Sequence, residues 1–130
     1  MVKMSKQGYT IVEIMIVTGI ILLLAAILVP NYLRARINAN DATAQNTLKA
    51  ISTAMENYFA INSSYPGDTD DLIGEKPPYL NEDYFIGTHN GFSFFSALTS
   101  SAYSVSAVPI DSRHGSRSFT ISTVAVLESD

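Results

Sequence analysis

The hydrophobic pattern of the chain changes abruptly near residue 9. The first eight residues are polar and carry Lys3 and Lys6, whereas the twenty residues from Ile14 to Leu33 contain no charged side chain. At about 1.5 Å of rise per residue, that stretch matches the roughly 30 Å hydrocarbon core of a bilayer. The pattern predicts a helix that can span a membrane.

The flanks of this segment predict its orientation and its fate. Two lysines precede it, so we expect the extreme N-terminus to stay cytoplasmic while the C-terminal bulk is translocated. A cleaved secretory signal would have a shorter apolar stretch followed by a small-x-small site. Here the stretch runs into Pro30-Asn31-Tyr32-Leu33, which favours retention of the segment.

Beyond Pro30 the helical signal continues as an amphipathic stripe that ends near Phe59, before the turn-forming residues 62–68. Pro30 removes a backbone donor and is predicted to kink or loosen the helix. A striped helix needs a globular layer on one side only. The apolar positions of the stripe are Leu33, Ile37, Ala44, Leu48, Ile51, Met55 and Tyr58.

Alternating apolar residues after Gly91 predict three or four short strands. Consecutive strands with turn-rich connections favour an antiparallel sheet that buries one face on the helix. The predicted fold class is therefore α+β, with a long N-terminal helix packed against a small antiparallel sheet. The alternating positions are Phe92, Phe94, Tyr103, Val105, Ala107, Phe119, Ile121, Val124 and Val126.

Composition narrows the possible functions. The formal net charge is −4 and the pI is near 5.0. A protein that coats nucleic acid needs positive charge, so no nucleic-acid site is predicted. The chain contains no cysteine, which excludes disulfides, thiolate metal sites and a cysteine nucleophile.

An acidic cluster in the loop after the helix is the one weak candidate for a metal site. Asp68, Asp70 and Asp71 supply oxygen ligands of the kind that Ca²⁺ prefers. Their spacing does not match an EF-hand, and aspartates in turns are usually solvated. No metal and no cofactor is predicted.

No convergent catalytic set is visible, so no enzymatic activity is predicted. Asp111, Ser112 and His114 contain the right residue types for a triad, but triad members rarely adjoin in sequence and no nucleophile elbow surrounds them. His89 lies far away in sequence, in another turn-like context.

The residues from Gly8 to Glu13 resemble the class III signal of the type IV pilin family, which includes the pseudopilins of type II secretion. That pattern is a short basic leader ending in glycine, an aromatic first mature residue, and glutamate at the fifth mature position. Gly8, Tyr9 and Glu13 match it, and Pro30 stands at a proline position common in the family. Tyr9 replaces the more usual phenylalanine.

The resemblance implies a lollipop-like fold made of three segments. Residues 1–8 would be a leader peptide, residues 9–33 the half of the helix that spans the membrane and later forms the filament core, and residues 34–130 the globular head. It also implies some melting of the helix before Pro30. The extent is left open, because Gly19 here takes the place of a glycine that many members have at the position of Leu22.

The resemblance further implies a processing pathway and partners. A membrane prepilin peptidase would cleave after Gly8 and N-methylate Tyr9. An inner-membrane platform and an ATPase would then move the subunit from the inner membrane into a periplasm-spanning or extracellular filament of identical or related subunits.

The physical chemistry of Glu13 supports an assembly role. A carboxylate at the centre of a membrane helix costs about 3 kcal/mol, so Glu13 needs a partner or a shallow position. The α-amino group of a cleaved Tyr9 in a neighbouring subunit would supply a cation. A subunit in the wrong register would leave a buried charge unpaired.

Two alternatives stay open. The chain is either a pilin, with a role in adhesion, motility or DNA uptake, or a pseudopilin that acts within the envelope in secretion. A different class is a signal-anchored binding domain, in which Glu13 merely sits in an interfacial turn. Glycosylation is not predictable from the sequence.

Overall fold

Helix α1, Ile11–Asn62, is the main element of the computed structural model, which describes residues 8–130. It confirms the predicted long helix and ends slightly beyond Phe59. Ser63 follows with a positive φ of 56° and donates its N–H to the Phe59 carbonyl at 2.8 Å, as at many helix C-termini. The chain forms two compact units, one up to Arg34 and one from Ala35 to Asp130. Apart from Gly8, the predicted leader lies outside the described residues.

The second unit contains one antiparallel sheet in the order β1-β2-β3-β4. The strands are β1 Phe92–Thr99, β2 Ala102–Pro109, β3 Phe119–Ser122 and β4 Leu127–Ser129. The predicted antiparallel sheet is thus confirmed.

The placement of Val124 and Val126 in a strand is wrong. Both residues flank Ala125, which has a positive φ of 56° in the connection between β3 and β4. A positive φ at a residue other than glycine is typical of a tight turn. The alternation of valines therefore reflects a turn, and both side chains are exposed.

The core lies between one face of α1 and the inner face of the sheet. Successive residues of a strand point to opposite faces, and the buried residues accordingly alternate, with Phe92 and Phe94 in β1 and Tyr103, Val105 and Ala107 in β2. Three stripe positions are not fully buried, because Leu33 is exposed and Ile37 and Tyr58 are half-buried. The helix contributes Ala44, Leu48, Ile51 and Met55, and the strands contribute Phe92, Phe94, Tyr103, Val105, Ala107, Phe119 and Ile121.

A hydrogen-bond network joins α1 to the sheet and to the loop after the helix. The hydroxyls of Ser52 and Tyr103 lie 2.7 Å apart. The Tyr103 and Tyr65 hydroxyls donate to Glu56 Oε1 at 3.3 and 3.1 Å. Burial raises the pKa of both tyrosines, and the neighbouring Glu56 carboxylate raises the pKa further because it disfavours a second negative charge.

Shortening a core side chain of α1 tests this packing. Leu48 has no exposed surface, so Leu48→Ala should lower the free energy of unfolding by about 2–5 kcal/mol through lost burial and the cavity that remains. The measurement is chemical unfolding of the full chain in detergent. Lys49→Ala is the matched control, because Lys49 is the exposed neighbour and should change stability by less than about 0.5 kcal/mol. Equal effects of the two substitutions would contradict the assigned core.

The tyrosine network predicts a loss of stability in alkali. Because the folded-state pKa values of Tyr65 and Tyr103 lie above the ordinary value of 10.0, the stabilisation is complete below pH 10 and is lost as the pH rises through the raised values. Denaturant titrations of the full chain in detergent should show this fall. The double variant Tyr65→Phe/Tyr103→Phe should be less stable at neutral pH but should show a flatter alkaline decline. Tyr84→Phe leaves the network intact and should keep the wild-type decline; an unchanged decline in the double variant would contradict the prediction.

Candidate functional site

Helix α1 begins with two reciprocal hydrogen bonds between Thr10 and Glu13. The Glu13 N–H donates to Thr10 Oγ1 at 3.1 Å, and the Thr10 N–H donates to Glu13 Oε2 at 2.7 Å. This arrangement is a capping box, in which two backbone donors at the helix start are satisfied. The other carboxylate oxygen, Glu13 Oε1, accepts no hydrogen bond within residues 8–130.

The sequence interpretation missed this capping role of Glu13. Its signal is nevertheless present, because Thr10-Ile11-Val12-Glu13 has the Ser/Thr-x-x-Glu spacing that precedes an apolar helix. Glu13 therefore has a structural role inside one chain as well as the predicted role between chains.

Gly8 and Tyr9, the predicted cleavage point, precede α1 and are exposed, with 84% of the Tyr9 surface accessible. A Cβ added to Gly8 would meet no atom within 4 Å among the described residues outside its chain neighbours. Packing within residues 8–130 therefore gives no reason for a glycine at this position.

The first half of α1 exposes apolar side chains on all of its faces. Every large apolar residue from Tyr9 to Leu33 is exposed, from 47% at Leu33 to 84% at Tyr9. Burying one such side chain is worth about 1.5–3 kcal/mol relative to leaving it in water. By length and composition α1 can cross a membrane. Summed over the segment, the cost of leaving it in water is tens of kcal/mol.

Few polar groups interrupt this apolar surface. The Thr18 hydroxyl donates back to the carbonyls of Ile14 and Met15 at 2.9 and 3.0 Å, so it needs no partner outside the helix. This back-bonding is how hydroxyl side chains are accommodated in apolar helices. Glu13 is consequently the only ionisable side chain of α1 before Tyr32.

Pro30 lies inside α1, which is helical on both sides of it. The ring removes one N–H, so the carbonyl of Ala26, four residues earlier, loses its usual helical donor. The predicted kink and the extent of helix melting before Pro30 stay predictions.

The acidic cluster builds a local turn. Asp68 precedes a short 3₁₀ helix, Thr69–Leu72, and shares a capping box with Asp71. Asp68 Oδ1 accepts from the Thr69 N–H at 2.6 Å, and Asp71 Oδ2 accepts from the Gly67 N–H at 3.2 Å. Two of the three carboxylates thus satisfy backbone donors, and residues 8–130 contain no group of three or more acidic or histidine side chains arranged to hold a metal.

In the loop after β2, the acidic and histidine residues form local hydrogen bonds with each other and with the backbone. Asp111 Oδ1 lies 2.7 Å from His114 Nδ1 and accepts from the Arg113 N–H at 2.8 Å. These hydrogen bonds, the one to His114 first, lower the pKa of the Asp111 carboxyl. The Ser112 hydroxyl makes no hydrogen bond to His114 within the described residues. His89 is separate and lies 3.5 Å from Glu82.

Comparison with known proteins gives relatives of one structural kind, although no family model matches the chain. The chain is 37% identical over 72 residues to the type IV major pilin protein PilA of Myxococcus xanthus, covering 55% of this chain and 32% of that protein. It is 40% identical over 69 residues to the type IV wide pilus major component of Thermus thermophilus, covering 53% of each.

Type II secretion proteins are similar to the same degree. The chain is 39% identical over 67 residues to the type II secretion system core protein G of Vibrio cholerae, covering 51% of this chain and 46% of that protein. The chain spans between about a third and a half of the length of these curated relatives. Its curated homologues are therefore type IV major pilins and type II secretion core protein G pseudopilins, and its long helix on an antiparallel sheet is an α+β, pilin-like fold.

Proposed function

We propose that this chain is a structural subunit of a type IV pilus-like filament and assembles through its apolar N-terminal helix. The observation that carries the proposal is the exposure of every large apolar side chain from Tyr9 to Leu33. Such a surface needs lipid or a ring of other helices around it. The similarity to a type IV major pilin and to a type II secretion core protein G supports an assembly of related subunits, in which we expect these helices to surround one another.

Processing is the first step of the proposed mechanism. A prepilin peptidase cleaves after Gly8 and N-methylates Tyr9, which removes Lys3 and Lys6 and creates an α-amino group at the start of the apolar segment. The exposure of Gly8 and Tyr9 supports access of an enzyme to this bond.

Glu13 then sets the register between subunits. Its Oε2 stays engaged with the Thr10 N–H, which is an ordinary peptide amide before and after cleavage. The remaining oxygen, Oε1, accepts the ammonium of Tyr9 from a neighbouring subunit. In a dry helix bundle a misplaced subunit leaves one charge unpaired, which costs several kcal/mol.

The exposed apolar surface of residues 9–33 also indicates where the protein is located in the cell. Before assembly the first half of α1 spans the inner membrane with the leader in the cytoplasm, and lipid covers residues 9–33. An assembly platform and an ATPase transfer the subunit into a filament that crosses the periplasm or leaves the cell. Pro30, where one backbone hydrogen bond is missing, is the point at which the helix can bend during this transfer.

A pseudopilus of a type II secretion system is the second candidate. Core protein G from four bacteria is similar to this chain at 32–39% identity. The two candidates share the assembly mechanism and differ in where the filament ends. Filaments found in the culture medium after mechanical shearing favour a pilus, whereas filaments confined to the envelope favour a pseudopilus.

The mature N-terminus tests processing. Mass spectrometry of the protein from cells that contain the peptidase should find methylated Tyr9 as the first residue. Gly8→Leu should leave the precursor intact, because the recognition pattern is lost while no described contact is disturbed. Thr53→Leu, at an exposed position on α1, is the control and should be processed normally. An intact Met1 in the wild-type protein would refute the processing step.

Substitution of Glu13 separates its charge from its capping role. Glu13→Gln keeps an oxygen for the Thr10 N–H but removes the charge, and Glu13→Ala removes both. If the charge sets the register, both variants should lose most filaments, with a yield lowered about a hundredfold or more, because one unpaired buried charge costs several kcal/mol. Electron microscopy and immunoblots of sheared filaments give the yield.

Two outcomes would contradict the assembly role of Glu13. Normal filaments from Glu13→Gln but not from Glu13→Ala would assign Glu13 to the cap alone. Absence of filaments from the wild-type chain, together with stable membrane anchoring, would favour the signal-anchored binding domain.

A further inference from the structure

The loop between β2 and β3 carries two exposed arginines, Arg113 and Arg117. Within residues 8–130 the contacts of 4.0 Å or less between a basic side chain and a carboxylate are His89–Glu82 and His114–Asp111. Neither guanidinium therefore has an ion-pair partner in this range. A guanidinium offers five donors suited to carboxylates, so both are available to another molecule.

A buried carboxylate anchors this loop to α1. Asp41 is only 8% exposed and accepts hydrogen bonds from the N–H of Ser116, at 3.0 Å, and from the Ser116 hydroxyl. One residue earlier on α1, the Asn40 amide donates to the His114 carbonyl at 2.9 Å. Because Ser116 lies next to Arg117 and three residues after Arg113, these bonds fix the backbone that carries both arginines.

Two glycines allow the loop to lie directly on the sheet. A Cβ on Gly115 would approach the Phe92 ring to 2.4 Å, and one on Gly91 would approach His114 Cβ to 2.4 Å. Gly91 also has a φ of 81°, which favours glycine. The loop is thus pre-organised, and a surface whose backbone is already fixed loses less entropy on binding.

Carboxylates without a partner lie elsewhere on the same unit. Asp70 and Glu75 are exposed and accept no side-chain hydrogen bond within the described residues, in contrast to Asp68 and Asp71 in the capping box. Neither is paired with a lysine or an arginine there. Both are therefore free to accept a guanidinium.

Arg117 and Glu75 lie beside opposite ends of the helix half in this unit. Arg117 lines a cavity together with Asn38 and Ala42, whereas Glu75 lines a cleft together with Asn57 and Ala60. The helix rises about 1.5 Å per residue, so these positions are separated by roughly 25–30 Å. Pairing of Arg117 with Glu75 within one copy is excluded by this distance.

We propose that Arg113 and Arg117 of one copy form ion pairs with Asp70 and Glu75 of a second copy. The inference rests on the proposed filament function and names a contact between heads. The two surfaces differ, so the contact is heterologous, and each copy offers both halves and can extend the assembly. Arg–carboxylate pairs are geometrically specific because two parallel hydrogen bonds can form.

Charge reversal in the full chain tests the contact. Arg113→Glu/Arg117→Glu should lower the yield of sheared filaments about tenfold or more, because like charges then face each other. Asp70→Arg/Glu75→Arg should do the same, and the combined variant should recover to within about threefold of the wild type. Lys49→Glu reverses an exposed charge outside both surfaces and is the matched control, with wild-type yield expected. Thermal unfolding of each variant reports whether the head still folds.

Engineered cysteines test directly whether a second copy of the chain contacts the arginines, because the chain has no cysteine of its own. The variant Arg117→Cys/Glu75→Cys should form a ladder of disulfide-linked oligomers in cells under mild oxidation, as expected for a heterologous contact. Each single-cysteine variant should give no ladder. Ser93→Cys/Glu75→Cys, with one cysteine moved to the outer face of β1, is the control pair and should also give none.

The outcomes separate this contact from the filament proposal. Wild-type filaments without rescue and without a ladder overturn the contact and leave the filament intact. Loss of binding to phosphatidylglycerol vesicles in the arginine variant, with no effect of the acidic variant on filaments, assigns the arginines to a lipid surface and also overturns it. Absence of wild-type filaments overturns both proposals.

Discussion

Apolar side chains surround α1 on every face between residues 11 and 33, and no one-sided layer of protein can cover them. The stripe of Ala44, Leu48, Ile51 and Met55 is different, because a single sheet is enough to bury it. Only a bilayer or several surrounding helices suit the first kind of surface. One continuous helix therefore has two incompatible burial requirements, and the chain satisfies only the second by itself.

The second requirement explains the construction of the head. Strand alternation turns one face of the sheet toward α1, and the close fit leaves Leu48, Ile51 and Met55 without exposed surface. Polar groups enter this layer only as satisfied pairs, as with Ser52 and Tyr103 at 2.7 Å. Buried polar groups that lack partners are costly, so such pairs fix how the helix lies on the sheet without weakening the core.

Periodicity made the long helix and the antiparallel sheet predictable from sequence, because both depend on local repeats of 3.6 and 2 residues. The Val124–Val126 alternation misled for the same reason, since a turn of the right length imitates a strand. Asp41 could not be predicted, because its partner Ser116 is 75 residues away and only the fold brings them together. The Thr10–Glu13 cap was predictable, because its Ser/Thr-x-x-Glu spacing is a local signal.

The proposed filament assembles through the apolar half of α1, yet its assembly should depend on polar groups. Lipid tails are as apolar as leucine, so moving the helix from a bilayer to a helix bundle gains little from the hydrophobic effect. In the proposed filament, the free energy and the specificity of assembly then come from packing, from Glu13 in the apolar medium, and from the proposed contacts between heads in water. Glu13 has one oxygen committed to Thr10 and the other unoccupied within the described residues. The cap satisfies the backbone donors at the helix start and leaves one carboxylate oxygen available, and the proposed register role of Glu13 in a dry helix bundle requires such an oxygen.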